Sequence, residues 1–331
     1  MCRLETVLGA GNGAKSRWHT ACVDQGVTHA CARLPVCLSF VLAVFCSAPY
    51  AHAADEERGA GPRGERTQGT RSLWHDDWPE FSTLEGVFTV SAGLGTLVLF
   101  SLGPAAEPRW RGGVLFDDDV RDAMRAQNET DREVFAHIGD ATYYASPVLP
   151  FVVDSLFVAY LGKRDDKLAR NLALVSLEAF AYSGFLSFAA TQATARERPA
   201  ITQCLSDARG DTERCDLDSR TEAFWSGHTT IAATSAGLVC ANHLHVPLWG
   251  HPAADALACA LASANAVTTG MTRLVADQHY ATDVLMGSAI GFGVGFAVPT
   301  LLHYGVRRPA NLAIAPTVSG EVSGLAVAGA F

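Results

Sequence analysis

Six apolar stretches, at 84–104, 140–161, 168–190, 229–247, 252–271 and 281–303, leave this chain few ways to fold. Several are close to the roughly 20 residues that an α-helix needs to cross a hydrocarbon layer. Helices of this kind satisfy their own backbone, so their side chains must pack against one another or against lipid. Of 331 residues, 49% are hydrophobic and 18% charged, which is more apolar than an ordinary soluble enzyme. The expected fold is therefore all-α, a single helical bundle. Asp154 and Glu178 interrupt two of the stretches and have to face the bundle interior or water. A net charge of −9 with no basic stripe argues against a nucleic-acid partner.

The N-terminal part reads as targeting sequence. Arg33 precedes an apolar run from Leu34 to Ser47, and Ala51–His52–Ala53 supplies small residues for cleavage before Ala54. Residues 1–53 are thus expected to be a targeting region with a signal peptide at about 33–53. The length upstream of the charged residue points to a start codon assigned too early. Residues 54–83 read as a linker, polar and disordered up to about 73, 84–310 as the helical domain and 311–331 as a tail. The tail alternates apolar and small residues around Ser319–Gly320, as a short hairpin would. Between the first two apolar stretches, Asp117 to His137 is expected to form an amphipathic surface helix.

Three clusters carry the chemistry. Arg196–Glu197–Arg198–Pro199 follows the third stretch, Ser226–Gly227–His228 opens the fourth, and Arg273, His279 and Asp283 span the junction of the fifth and sixth. His279 and Asp283 are four apart, on one face if helical, so the carboxylate could fix the imidazole tautomer and free a nucleophilic nitrogen. Arg273 is expected near a helix start, and Arg196 and Arg198 in the last turn of a helix ended by Pro199. Ser226 and Gly227 stand at a helix N-terminus, where backbone N–H groups attract an anion, and His228 is placed to protonate a leaving oxygen. Each cluster also has a plainer reading: a surface His–Asp pair, an N-cap serine, or arginines that complement a helix C-terminus. Together they form a set able to hold a phosphate, attack it and protonate what departs.

This pattern resembles the phosphatidic acid phosphatase type 2 and vanadium haloperoxidase superfamily, over roughly residues 84 to 304. Its signature is Lys-x6-Arg-Pro, Pro-Ser-Gly-His and Ser-Arg-x5-His-x3-Asp, met here by Arg198–Pro199, Ser226–Gly227–His228 and Arg273, His279 and Asp283. The resemblance implies a six-helix bundle embedded in the membrane, and no cofactor or metal. His279 would form a phosphohistidine with Asp283 as its orienter and His228 as the acid. Arg198, Arg273, Ser226 and Gly227 would bind the phosphoryl oxygens. Three positions depart from the signature: Thr191 replaces the lysine, Trp225 the proline and Thr272 the serine. Thr191 removes a cation worth on the order of 1.5 to 3 kcal/mol, for which Arg196 could compensate.

The implied substrate is a lipid phosphate or a polyprenyl diphosphate at a membrane. The rivals are a soluble periplasmic acid phosphatase of the same superfamily and a non-catalytic phospholipid-binding membrane protein. Lys163, Arg164, Lys167 and Arg170, with Arg307 and Arg308, mark the end opposite the clusters as cytoplasmic, so the site would face the periplasm from the inner membrane. An N-terminus outside followed by six spans would invert that, so one stretch, with 84–104 the first suspect, is not a span or the bundle is soluble. Five of nine cysteines lie in the targeting region. Cys204 and Cys215 share an exported loop and can pair, whereas Cys240 and Cys259 read as plain core residues. His243, His245 and His251 sit in a turn without acidic or thiol company and are not read as metal ligands.

Overall fold

The computed structural model describes residues 72–207, 215, 219–305, 313–319 and 322–328. The expected signal peptide and all of the linker before Ser72 lie outside the described residues. Among the described residues there are eight α-helices: α1 Thr83–Ser101, α2 Asp117–Met124, α3 Glu129–Ala145, α4 Asp166–Thr194, α5 Pro199–Asp207, α6 Gly227–His245, α7 Pro252–Val275 and α8 Ala281–Pro299. Wider π-helical turns extend α3 over Leu149–Gly162 and α8 over Thr300–Tyr304. A β-hairpin follows, with β1 Ala313–Ser319 antiparallel to β2 Val322–Ala328 and Ser319 opposite Val322.

Four of these segments are long and apolar enough to cross a membrane: Thr83–Ser101, Glu129–Gly162, Asp166–Thr194 and Ala281–Tyr304. The six equivalent stretches expected from sequence therefore divide into two kinds. Helices α6 and α7 are rich in Ala, Ser, Thr and Gly, which suit close packing rather than contact with lipid. Fourteen of the nineteen residues of α6 are buried, so it is the central helix. By contrast α1 buries only Thr89 and presents Leu84, Val87, Phe88, Leu94 and Val98 outward.

Helix α8 packs on α6 through Gly287, Gly291 and Gly295, one per turn along one face. A Cβ on Gly291 would lie 2.2 Å from the Thr230 carbonyl oxygen, and one on Gly295 2.1 Å from that of Thr234. The backbones touch, and only glycine fits there.

Three expectations change. The presumed linker is docked from residue 72: Trp74 is 1% exposed among Leu168, Leu172, Val246, Leu248 and Tyr304, and Ser72 donates to the Asp165 carboxylate. Asp117–His137 is two helices, broken where Arg125 turns extended and Asn128 caps α3. Asp117 is fully buried rather than on a surface face. Cys204 is bonded to Cys215, and Cys240, read as a plain core residue, is bonded to Cys259 across α6 and α7.

Gly291→Ala and Gly295→Ala should each lower stability by about 1–3 kcal/mol through overpacking. Gly293→Ala, whose added methyl meets nothing within 4 Å, should leave it unchanged or raise it. Thermal unfolding of the three variants in detergent checks this.

Candidate active site

Helix α4 stops at Ala195, whose backbone is left-handed (φ 43°). The chain leaves extended, so Arg196 pairs with Trp110 as a short parallel bridge, and Pro199 begins α5 rather than ending a helix. Arg196 is wholly buried. Its guanidinium donates to Asp117 at 2.7 Å, to the Gly112 carbonyl and Thr282 hydroxyl at 2.9 Å, and to Asp283. It lies between the rings of Trp110 and Tyr280, 4.0 and 4.1 Å from their centroids. Arg196 is thus a structural cation committed to two carboxylates. The expectation that it binds phosphate and offsets Thr191 is corrected.

Asp283 is corrected with it. Helix α8 starts at Ala281, so His279 precedes the helix and the four-residue spacing does not stack the pair on one face. His279 Nδ1 is 3.9 Å from the Asp283 carboxylate, too far for a hydrogen bond. It donates instead to the Ala223 carbonyl at 2.7 Å. Asp283 accepts from the Tyr280 N–H at 2.8 Å and from Arg196, closing the first turn of α8. Its own carbonyl takes the Ser226 N–H at 3.2 Å. The second and third clusters are therefore stitched through Asp283.

His279 is 4% exposed. Burial, and then the charge of Arg198, hold its pKa well below the ordinary imidazole range, with His228 and Arg273 adding to the effect. The ring is neutral, and with Nδ1–H spent on Ala223 the lone pair is on Nε2.

Ser226 caps α6, its hydroxyl accepting from the Thr229 N–H at 3.4 Å and paired with the Thr229 hydroxyl at 2.9 Å. It is fully buried, and these contacts hold its hydroxyl at the helix end. Gly227 and His228, the first two residues of α6, keep N–H groups with no acceptor within the helix. The His228 ring is 4.5 Å from that of Tyr143 and donates from Nε2 to Asp140 at 3.1 Å. Burial lowers its pKa, while the bond to Asp140 opposes the shift.

Arg273 stands in the last turn of α7, not near a helix start. It donates to Asp140 at 2.7 Å, to the Ala136 carbonyl at 2.8 Å and to Gln278. Arg198 contacts Glu222 at 3.3 Å. Asp140, on α3, is the site residue that sequence reasoning missed. Its one signal was a carboxylate at the edge of an apolar stretch. Gly139 lets α3 approach here, since a Cβ on it would be 2.5 Å from the Arg273 guanidinium.

The far end holds another polar group. His243 lies 2.6 Å from Asp255 and 3.2 Å from Asp154, so the acidic company expected to be missing is present. Both ring nitrogens are occupied by these bonds.

Residues 172–307 match the family model of the PAP2 superfamily, and this span contains all three clusters. Among solved structures, a transmembrane PAP2 type phosphatidylglycerolphosphate phosphatase from Bacillus subtilis is 19% identical, with a TM-score of 0.41, 64% of this chain covered and 94% of the other. No curated protein matches the chain.

Arg196→Ala and Arg198→Ala should separate structure from chemistry. The first leaves Asp117 and Asp283 buried without a counter-charge and should cost about 3–5 kcal/mol of stability. The second breaks a partly buried pair of 3.3 Å with one carboxylate and should cost less, about 1 kcal/mol. Denaturation midpoints of the two purified variants give the comparison.

Proposed function

We propose that this chain, a member of the PAP2 superfamily through residues 172–307, is a phosphohydrolase that needs no metal for its chemistry and acts through a phosphohistidine. The observation that carries the reading is His279: buried, neutral, with Nδ1–H on the Ala223 carbonyl and Nε2 left as a lone pair beside Arg198, His228 and Arg273. Nε2 attacks phosphorus, the bond to the leaving oxygen breaks, and His228 gives that oxygen a proton. Water then attacks the phosphohistidine and loses a proton to His228, phosphate departs, and the imidazole is neutral again. Arg198, Arg273 and the N-terminus of α6 at Gly227 and His228 neutralise the charge on the equatorial oxygens.

The substrate in this reading is a lipid phosphate or a polyprenyl diphosphate. Four helices able to cross a membrane, and an α1 that turns leucine, valine and phenylalanine outward, support a bilayer setting. The Cys204–Cys215 disulfide, in the loop between the first two clusters, supports an oxidising compartment on the side of the candidate site, and with it an active site facing the periplasm from the inner membrane. A second reading, a binder of phosphorylated lipid without turnover, is favoured by Thr191 and by the Asp140 carboxylate that already engages His228 and Arg273.

Phosphate release from phosphatidate, polyprenyl diphosphate and a soluble aryl phosphate, beside His279→Ala, distinguishes the readings. Turnover that vanishes in the variant supports the phosphatase, and the substrate ranking divides lipid from soluble substrates. Binding without release by the wild type supports the binder.

The pH dependence carries a sign. The acid must be protonated and burial lowers the His228 pKa, so kcat/KM should be highest below neutrality and fall as pH rises. Asp140 raises that pKa, so Asp140→Asn should move the basic limb to lower pH. A pH–rate profile whose basic limb stays in place in Asp140→Asn would remove Asp140 from this role.

A further inference from the structure

At the end of the bundle away from the candidate active site, three side chains from separate elements meet in an arrangement that no step above uses. They are Glu85 in the first turn of α1, Glu178 in the middle of α4 and His303 in the π-helical end of α8. Glu178 lies sixteen residues before the C-terminus of α4 at Thr194. That is about 24 Å of helix at 1.5 Å per residue, so the group is remote from His279.

The ring of His303 is completely buried. Its Nδ1 donates to the Pro79 carbonyl at 3.0 Å, so Nε2 is the nitrogen available to a ligand. Nε2 has no hydrogen-bond partner; it faces Glu85 Oε1 at 3.8 Å and Glu178 Oε2 at 3.9 Å. Glu178 is also fully buried, with Oε1 taking the Tyr182 hydroxyl at 2.7 Å and Oε2 unpartnered. Glu85 spends Oε2 on the Ser82 N–H, which leaves Oε1 directed at the same point. The three atoms lie within 4.8 Å of one another.

A direct ion pair does not account for this spacing. An imidazolium between two carboxylates closes to about 2.7–2.9 Å, whereas here both gaps stay near 4 Å. Two ligands each about 2.0–2.2 Å from one ion at a tetrahedral angle are about 3.3–3.6 Å apart, so gaps of 3.8 and 3.9 Å need close by only a few tenths of an ångström to hold a cation. A neutral imidazole and two carboxylates also balance a divalent charge, where two buried carboxylates alone would be costly. The nitrogen donor disfavours Mg²⁺ and Ca²⁺, which take oxygen ligands, and suits Zn²⁺.

We propose that Glu85, Glu178 and His303 form a structural zinc site that fastens α1 to α4 and α8. The site adds a tie between the start of α1, which buries only Thr89 of its own residues, and the helices it packs against. Pro79 ties it to the docked segment 72–82, since its carbonyl sets the tautomer of the histidine ligand.

The test is zinc content of tag-free, full-length protein after equilibration with Zn²⁺ and removal of free metal. The wild type and His279→Ala should each retain about one zinc per chain, so the result does not depend on the proposed phosphatase reaction. His303→Ala should retain none, and Glu85→Gln, which leaves both buried groups in place, should bind at least tenfold more weakly. Zinc-edge absorption should show one nitrogen and two or more oxygen ligands, and a chelator should lower the melting temperature of the wild type but not of His303→Ala. No zinc in the wild type, or zinc retained equally in Glu85→Gln and His303→Ala, overturns the proposal.

Discussion

One buried guanidinium holds the candidate site together. Arg196 joins Asp117 at the start of α2 to Asp283 in the first turn of α8, between the rings of Trp110 and Tyr280. Asp283 in turn closes the first turn of α8, which begins two residues after His279, and its backbone receives Ser226 at the start of α6. Asp117 repeats the pattern, accepting the Thr282 N–H at 2.8 Å. Three chain segments far apart in sequence are thus fixed to one buried cation. A buried pair of this kind adds little net stability against an apolar substitute, yet losing one partner is severe. Its value here is positional: it holds His279 and the end of α6 to a single geometry.

The bundle makes that geometry possible by bringing backbones into contact. Helix α6 is built from small residues and α8 meets it through three glycines, so His228 at one helix start and His279 just before the other are held by main-chain contacts rather than by long side chains. The outer helices have the opposite character. They are apolar on the outside and lightly buried, and are tied at their ends by polar contacts such as Arg170 to Glu80 and Ser72 to Asp165.

The sequence was legible where chemistry and periodicity coincide. The apolar stretches located the long helices, and the apolar–small alternation at 311–331 gave the hairpin. Residue types and spacing also identified the segments that meet at His279 and His228. The roles of individual residues were less legible, because they depend on where a helix begins by a margin of two residues. His279 and Asp283 share a face only if the helix includes both, and it starts at Ala281. Arg196 and Arg198 look equivalent in sequence, but the left-handed Ala195 and the bridge to Trp110 send the first into the core. Asp140, Pro79 and the pairing of Cys240 with Cys259 are contacts between distant segments that no local pattern encodes.

The charge balance of the pocket follows from the same contacts. Arg198 and Arg273 stand near two histidines, and such a cluster would repel itself if left uncompensated. Asp140 and Glu222 supply the missing negative charge, and one oxygen of Asp140 accepts from both His228 and Arg273, as one oxygen of an anion would. The donors are therefore already aimed at a common point and need little reorganisation to receive a charged ligand. Thr191 sits where the related signature carries a lysine, so this pocket has one cation fewer and one carboxylate close at hand. Both differences weaken its pull on a highly charged anion. A ligand that also gains affinity from apolar contact with the outer helices would depend less on that pull than a small free phosphate ester does.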